Sequence, residues 1–558
     1  MLKTKLLLTL LVVTAFVRVG IAQQIKLSPN VKKALSTVDS AEIKADIKYL
    51  ADDKLLGRIP GTPGYQTAVD YVVNRLKNLK VKPAGEKGTW LQTVRLRKAT
   101  LSKGATAAIV NQKPVTSSNS DTLSNVIDDL IAGKEISISP DPESPVQNVN
   151  APMAFAGYGI SQPDLGYDDY AGLDVKGKVV LVVRGAPDQF SSSVKAHVAN
   201  TSTILKTAAL HGAVGVIIGP ADSIVRPLVA GVRGVYSVMN SQGKVSVSRS
   251  FYSGQIRIFA NVNYNAFRML VNRADKNVKD IALLIKSGKP QSFAIPVTIT
   301  ANYHSVYQDI VSYNVIGKIT GSDPKVKNQY VVHSAHLDHL GIGTPVQGDS
   351  IYNGAHDNAS GVASLLGIAK VYAHMKVKPK RSILVVMVTG EEMGDLGSGY
   401  FASHPTVPVK SMVADVNTDM PTIIAPLLSI TALGAEHSSL AKQVSQAATY
   451  LGISVEPDPE PTQARFTRSD QYSFVVNGIP ALHVKYGNKT ADGKNNLADI
   501  VAPWRAKYYH KPQDDINGIF DFEAGKKYAQ LNFLIGYLVA QDSKKPVWNT
   551  GDIFSTHQ

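Results

Sequence analysis

Five short apolar runs in the C-terminal half of this 558-residue chain restrict its fold more than any other feature. SYNVIGKIT (312–320), QYVVHSA (329–335), SILVVMVTG (382–390), KSMVADVNT (410–418) and IPALHVKYG (479–487) lack the apolar/polar alternation of a half-exposed strand. An unbroken apolar strand is buried on both faces. The pattern therefore predicts an α/β sheet covered by helices, with helical runs at Gly361–Met375 and Tyr528–Gln541 in the cover. In sheets of this kind, functional residues gather beyond the strand ends.

The N-terminal half reads differently. Lys3 and Lys5 precede an apolar run from Leu6 to Val17, and small Gly20 and Ala22 precede Gln23, the pattern of a secretory signal peptide over 1–22. Arg18 interrupts the run too early for a membrane span of about 20 residues. The chain is therefore expected to be exported, periplasmic or secreted, with no integral membrane segment after cleavage. Amphipathic helices are expected at Ala41–Leu56 and Gln66–Leu79, joined by the Pro/Gly loop GRIPGTPGY. Short strands should follow near Trp90–Leu96 and Thr106–Val110. Two Pro-rich breaks, SPDPESPVQ (139–147) and GKPQSFAIP (288–296), bracket a compact mixed block. The expected division is a discontinuous domain over 23–139 and 291–558, with 140–290 inserted.

Composition removes several classes of function. With no cysteine, disulfides and thiolate metal sites are excluded, so any metal must use His, Asp and Glu. The net charge of +15 falls to +12 when Lys3, Lys5 and Arg18 leave with the signal. Those charges are spread along the chain without interleaved aromatic platforms, which argues against nucleic acid as a partner.

The strand ends carry the chemistry. His336 and Asp338, in AHLDHL, suit an imidazole on a metal with a carboxylate behind it fixing the tautomer. Asp357, in GAHDNASG, offers two oxygens that can bind two ions, although taken alone it reads rather as a helix N-cap. Glu391 and Glu392 follow a buried strand, where neighbouring carboxylates can diverge, one to metal and one to water. Asp419 ends another strand, and His510 lies in the loop WRAKYYHKPQDDI. Together His336, Asp357, Glu392, Asp419 and His510 form a five-ligand set with Asp357 shared. Nitrogen and oxygen donors of this kind suit zinc, with cobalt or manganese as substitutes.

In their order, AHLDHL, GAHDNASG, VTGEEMGDLGS, VNTDM, FTRSDQYSFVVNGIPAL and YYHKPQDD resemble the motifs of the two-zinc exopeptidases of metallopeptidase family 28, clan MH. The resemblance spans roughly 41–100 and 313–540. Within the inserted block, FAGYGI, YAGLDVKGKVVLV and AALHGAVGVI are similar to the protease-associated domain carried by several exported peptidases. The family resemblance implies a mixed sheet with helices on both faces and a smaller β-rich insertion. It further implies one Zn2+ on His336, Asp357 and Asp419 and another on Asp357, Glu392 and His510. Asp338 would support His336, Glu391 would act as general base and acid, and Tyr509 would stabilise the oxyanion. Where many relatives have paired aspartates this chain has His356-Asp357, which leaves the role of His356 open.

The implied reaction is hydrolysis of peptide substrates, by an aminopeptidase first and a carboxypeptidase of the same family second. A one-zinc glutaminyl cyclase would not need five ligands, and a receptor-like binding protein without activity should lack some of them. A carboxypeptidase needs an arginine fork beside the metals. Motif order offers Arg465 and Arg468 for that role. Phe466, Tyr472 and Phe474 are expected in the core.

Overall fold

The computed structural model describes residues 25–114, 123–220, 222–224, 228 and 234–557. The expected signal peptide at 1–22 lies outside them. Among the described residues no helix is long and apolar enough to cross a membrane.

The five apolar runs form the middle of one mixed sheet. Tyr330–His336 lies between Ser382–Val388 and Met412–Asn417, parallel to both, and Ala481–Tyr486 extends the parallel set from Met412–Asn417. Antiparallel strands close the two sides. Ser429–Leu433 pairs with Ala481–Tyr486, and the end of Ser292–Ile319 pairs with Ser382–Val388. Every residue of the four parallel strands is buried, as their lack of alternation requires. One face is covered by Ser40–Leu50, Pro63–Asn78, Ser360–His374, Leu440–Tyr450 and Phe522–Gln541, whose apolar sides form the largest core. The other face packs against Leu396–Ser403 and Gln471–Val475, where Phe466, Tyr472 and Phe474 are core residues.

The inserted block has its own core, around the parallel strands Val179–Val183, Gly215–Gly219 and Ile258–Val262. Its sheet begins earlier than the Pro-rich break near 140 suggests. Thr106–Pro114 and Ile136–Ile138, expected on the other side of that boundary, pair with strands of this sheet. Ser292–Ile319 is one 28-residue strand that serves both sheets. Its first half pairs with Val146–Ala156, and its second with Leu91–Leu101. Traffic runs the other way as well: the hairpin Val235–Met239 and Val245–Ser248, from within the inserted block, joins the edge of the main sheet through Val235 opposite Ala99. Local apolar pattern marks strands but carries no information on which sheet they join.

Candidate metal centre

His336 is the last residue of its strand, while Glu391–Glu392 and Asp419 follow the ends of the two flanking parallel strands. Register alone therefore brings three of the motifs to one sheet edge. Asp357 arrives from the turn before Ser360–His374, and His510 from the loop after Leu497–Tyr508. The five residues expected as ligands converge on Asp357. His336 Nε2 is 3.3 Å from Asp357 Oδ1 and 3.4 Å from Asp419 Oδ1. His510 Nε2 is 3.1 Å from Asp357 Oδ2 and 3.3 Å from Glu392 Oε2. The two carboxylate oxygens of Asp357 thus face two separate donor sets.

The sequence reading missed His339. Its Nδ1 lies 2.7 Å from Glu392 Oε1, its ring packs edge-on 5.9 Å from that of His510, and its buried Nε2 has no hydrogen-bond partner. The potential ligand atoms of His339, Asp357 and Glu392 lie within 4.8 Å of one another, as do those of His336, Asp357 and Asp419. The first set is buried, the second is buried but for a half-buried Glu392, and both carry only nitrogen and oxygen donors, a chemistry that fits divalent zinc. His339 was legible in AHLDHL as a second imidazole three residues after His336.

Charge follows from this crowding. Burial opposes protonation of His336, but Glu391, Asp357 and Asp419 outweigh it and push its pKa well above the usual imidazole range. Burial likewise opposes a charged His510, yet Asp357 and Glu392 raise it to about 10. Burial works to raise Asp357 and Asp419, but their imidazole neighbours win and hold both well below the usual carboxylate range. Glu391 behaves oppositely: burial, then repulsion from Glu392, Asp419 and Asp470, raises it well above that range. Two adjacent carboxylates are thus pushed apart, since His339 and His510 hold Glu392 low against its burial. Divergent pKa values in neighbouring groups are a mark of assigned acid and base roles.

A second ring of residues fixes the ligand loops. The expectation that the Asp338 carboxylate meets the His336 ring differs from the geometry, in which His336 Nδ1 is 3.1 Å from the Asp338 main-chain oxygen. The carboxylate instead accepts the main-chain N–H groups of Glu391 (3.2 Å) and Glu392 (3.3 Å), holding the turn that bears both glutamates. Asp514 accepts from the N–H groups of His356 (2.9 Å) and Asp357 (3.1 Å), tying the His510 loop to the shared aspartate. Asn358 donates to Thr418 O (3.1 Å) and accepts from the N–H groups of Gly361 and Met420. A Cβ on Gly361 would lie 2.4 Å from Thr418 O, so only glycine admits this approach of the Asp357 and Asp419 loops. Lys485 donates to the main-chain oxygens of Asp419 and Met420.

Arg58 is the largest surprise, because the sequence marks GRIPGTPGY only as a Pro/Gly loop. It is 1% exposed, and its guanidinium donates to the carbonyls of Leu337 (3.0 Å), Asn353 (2.7 Å), Gly354 (3.1 Å) and Leu50. Leu337 follows His336, and Gly354 opens the turn to Asp357. Burial pulls the Arg58 pKa down to about 10, with Asp338, Asp357, Asp514 and Glu392 opposing the fall.

Other expected residues fall into place around the centre. The Tyr509 ring stacks on His510 at 3.8 Å, under the Arg505 guanidinium. His356 points away from the ligands. It is buried, stacks on Phe520 at 4.0 Å and contacts Ile519 O at 3.0 Å through Nε2, and burial lowers its pKa to about 4. Of the two arginines read as a fork, Arg465 is buried against Asp458 and Glu460. Arg468 is exposed and instead lines a cleft together with Arg249, which pairs with Asp395.

Residues 314–531 match peptidase family M28, and residues 144–245 match the PA domain. The chain is 26% identical over 373 residues to the probable leucine aminopeptidase 2 of Aspergillus oryzae, covering 65% of this chain and 60% of that protein. It is 29% identical over 236 residues to Carboxypeptidase Q of Homo sapiens, covering 42% of this chain and 43% of the relative. The chain thus spans less than two thirds of the length of these curated relatives. Among solved structures, an aminopeptidase from Aneurinibacillus sp. strain AM-1 aligns over 91% of this chain and 95% of its own, with 19% identity and a TM-score of 0.47.

Proposed function

We propose that this chain, whose residues 314–531 belong to peptidase family M28 and whose residues 144–245 belong to the PA domain, is an exported two-zinc exopeptidase that releases single residues from a free N-terminus. The observation that carries the reading is the placement of two donor sets on opposite oxygens of Asp357, with Glu391 beside them. His336, Asp357 and Asp419 would hold one ion. Asp357, Glu392 and His510 would hold the other, with His339 against Glu392. Bound divalent cations supply Lewis acidity, polarising a carbonyl and lowering the pKa of a water.

The protein side of the reaction falls to three groups. Glu391 takes a proton from the attacking water on its carboxylate and returns it to the leaving nitrogen. Its raised affinity for protons, caused by burial and neighbouring carboxylates, suits the first half of that task. Tyr509, fixed against His510, directs its hydroxyl at the developing oxyanion. Glu391 and Asp419 accept charge-assisted hydrogen bonds from the substrate ammonium. Similarity to the Aspergillus leucine aminopeptidase supports this polarity.

Release from the C-terminus is the second reading, favoured by the similarity to Carboxypeptidase Q and by Arg249 beside the Glu391 turn. One experiment separates them: hydrolysis of paired free and N-acetylated dipeptides, with and without chelator. The proposal expects cleavage of the free amine only, abolished by chelation. Faster cleavage of the acetylated peptide hands the assignment to the carboxypeptidase.

A further inference from the structure

A cleft of about 960 Å3 lies where the inserted block meets the main domain. Its lining includes Arg184 and Lys195 from the inserted block, Arg249 from the end of the returning hairpin, and Arg468 from the main domain, with no Asp or Glu among the described lining residues. Two of the cations are thinly compensated: among the described residues Arg184 reaches only Ala199 O (3.4 Å) and Thr201 Oγ1 (3.3 Å), both long contacts, and Arg468 reaches only Gln463 O at 3.5 Å. Lys195 is 3.9 Å from Asp188. Arg249 is already paired with Asp395, so Arg184 and Arg468, brought to one concavity without a carboxylate among the described lining residues, are the cations whose charge an entering anion would offset.

Two of the lining arginines are linked to the loops of the metal centre through neighbouring residues. The Arg249 side chain lies on the turn that carries Glu391: its Cδ would be 3.1 Å from a Cβ on Gly394, and the N–H groups of Gly394 and Asp395 both donate to Glu391 O. Arg468 precedes Ser469, whose hydroxyl accepts from Asn417 Nδ2 at 2.7 Å, two residues before Asp419. The volume is at the upper end of the roughly 300–1,000 Å3 usual for ligand sites, enough for a peptide of a few residues.

We infer that this cleft is a carboxylate subsite that takes the free C-terminus of a short peptide whose N-terminus lies at the metal centre. The inference rests on the aminopeptidase reading for the direction of the peptide, while the presence of an anion site at Arg184 and Arg468 does not. An acidic side chain presents the same chemistry, so the test includes both sources.

The experiment compares unblocked peptides of two to five residues as C-terminal acids and as amides, with an Asp-containing amide added, on the metal-loaded full chain. At the length that reaches the arginines, the acid is expected to show a KM roughly ten-fold lower than the amide, the size of one charge-assisted hydrogen bond. Arg184→Ala and Arg468→Ala should each shrink that ratio at least threefold, and added salt should shrink it too. An acid-to-amide ratio near one at every length, or a ratio unmoved in both variants, overturns the subsite. An advantage confined to the Asp-containing amide overturns the terminal assignment. Calorimetric binding of an N-acetylated acid and amide pair keeps the two readings separable. If unblocked peptides are not hydrolysed, the aminopeptidase reading fails, and the difference in binding still decides whether the arginines hold a carboxylate.

Discussion

Replacing Arg58 by methionine should destabilise the chain through the loops that carry the candidate metal ligands. The guanidinium is the donor to four main-chain carbonyls, those of Leu50, Leu337, Asn353 and Gly354, and it is buried with them. Methionine fills much of the stem volume but donates nothing, so these acceptors lose their partner in a place water does not reach. At about 1 kcal/mol for each lost bond, the lower end of the range for an unsatisfied buried group, the cost is about 4 kcal/mol. With an unfolding entropy near 2.1 cal/mol/K per residue, a cooperative unit of roughly 400 residues should melt about 5 °C lower. Arg58→Lys keeps the charge but has one nitrogen with three donors in place of a planar fork, and should recover only part of the loss. Differential scanning calorimetry of the metal-free and metal-loaded proteins checks both variants. A methionine variant melting within about 1 °C of the parent, or a lysine variant indistinguishable from it, would falsify the argument that the fork clamps the ligand loops.

Three further outcomes follow from the site. Glu391→Gln should keep metal and fold while losing roughly 10²- to 10⁴-fold in kcat, whereas Glu392→Gln should also lose metal, read by elemental analysis; near-normal turnover in the first variant sinks the proton-transfer role. His339→Ala should weaken metal binding by about 10- to 100-fold in a competitive chelator titration, as loss of a group that orients a ligand does, and unchanged affinity would make His339 packing only. For His356, the folded ring takes a proton near pH 4 and the unfolded ring near 6.5, so the unfolded state binds more protons between them and stability falls as pH drops through that window, by about 3 kcal/mol. His356→Gln should flatten this part of the stability profile in denaturant titrations from pH 7 to 4, and equal slopes would refute the assignment.

The convergence of the candidate ligands was legible because residues just beyond the ends of parallel strands are brought together by register. His336, Glu392 and Asp419 each follow an unbroken apolar run, and the register of parallel strands delivers them to one edge. What stayed hidden depends on contacts distant in sequence. Arg58 serves carbonyls almost 300 residues away, and nothing in GRIPGTPGY distinguishes a buried arginine from a solvated one. Asp338 was placed near the right partners but with the wrong atom, because an HxD spacing leaves main-chain and side-chain oxygens equally able to meet the imidazole. The Pro-rich stretch near 140 is a break in pattern but not in structure, since strands before it pair within the inserted sheet.

The strand Ser292–Ile319 has a mechanical consequence. At about 3.3 Å per residue its contour is roughly 90 Å, hydrogen-bonded into one sheet over its first half and the other over its second. The returning hairpin adds a second tie between the same two bodies. A lid that swings needs a hinge, and here rotation about the junction would have to break ladder bonds rather than bend a linker. Swinging the inserted block over the cleft would therefore cost backbone hydrogen bonds at both ties, so turnover on short peptides is expected to show no slow step that depends on viscosity.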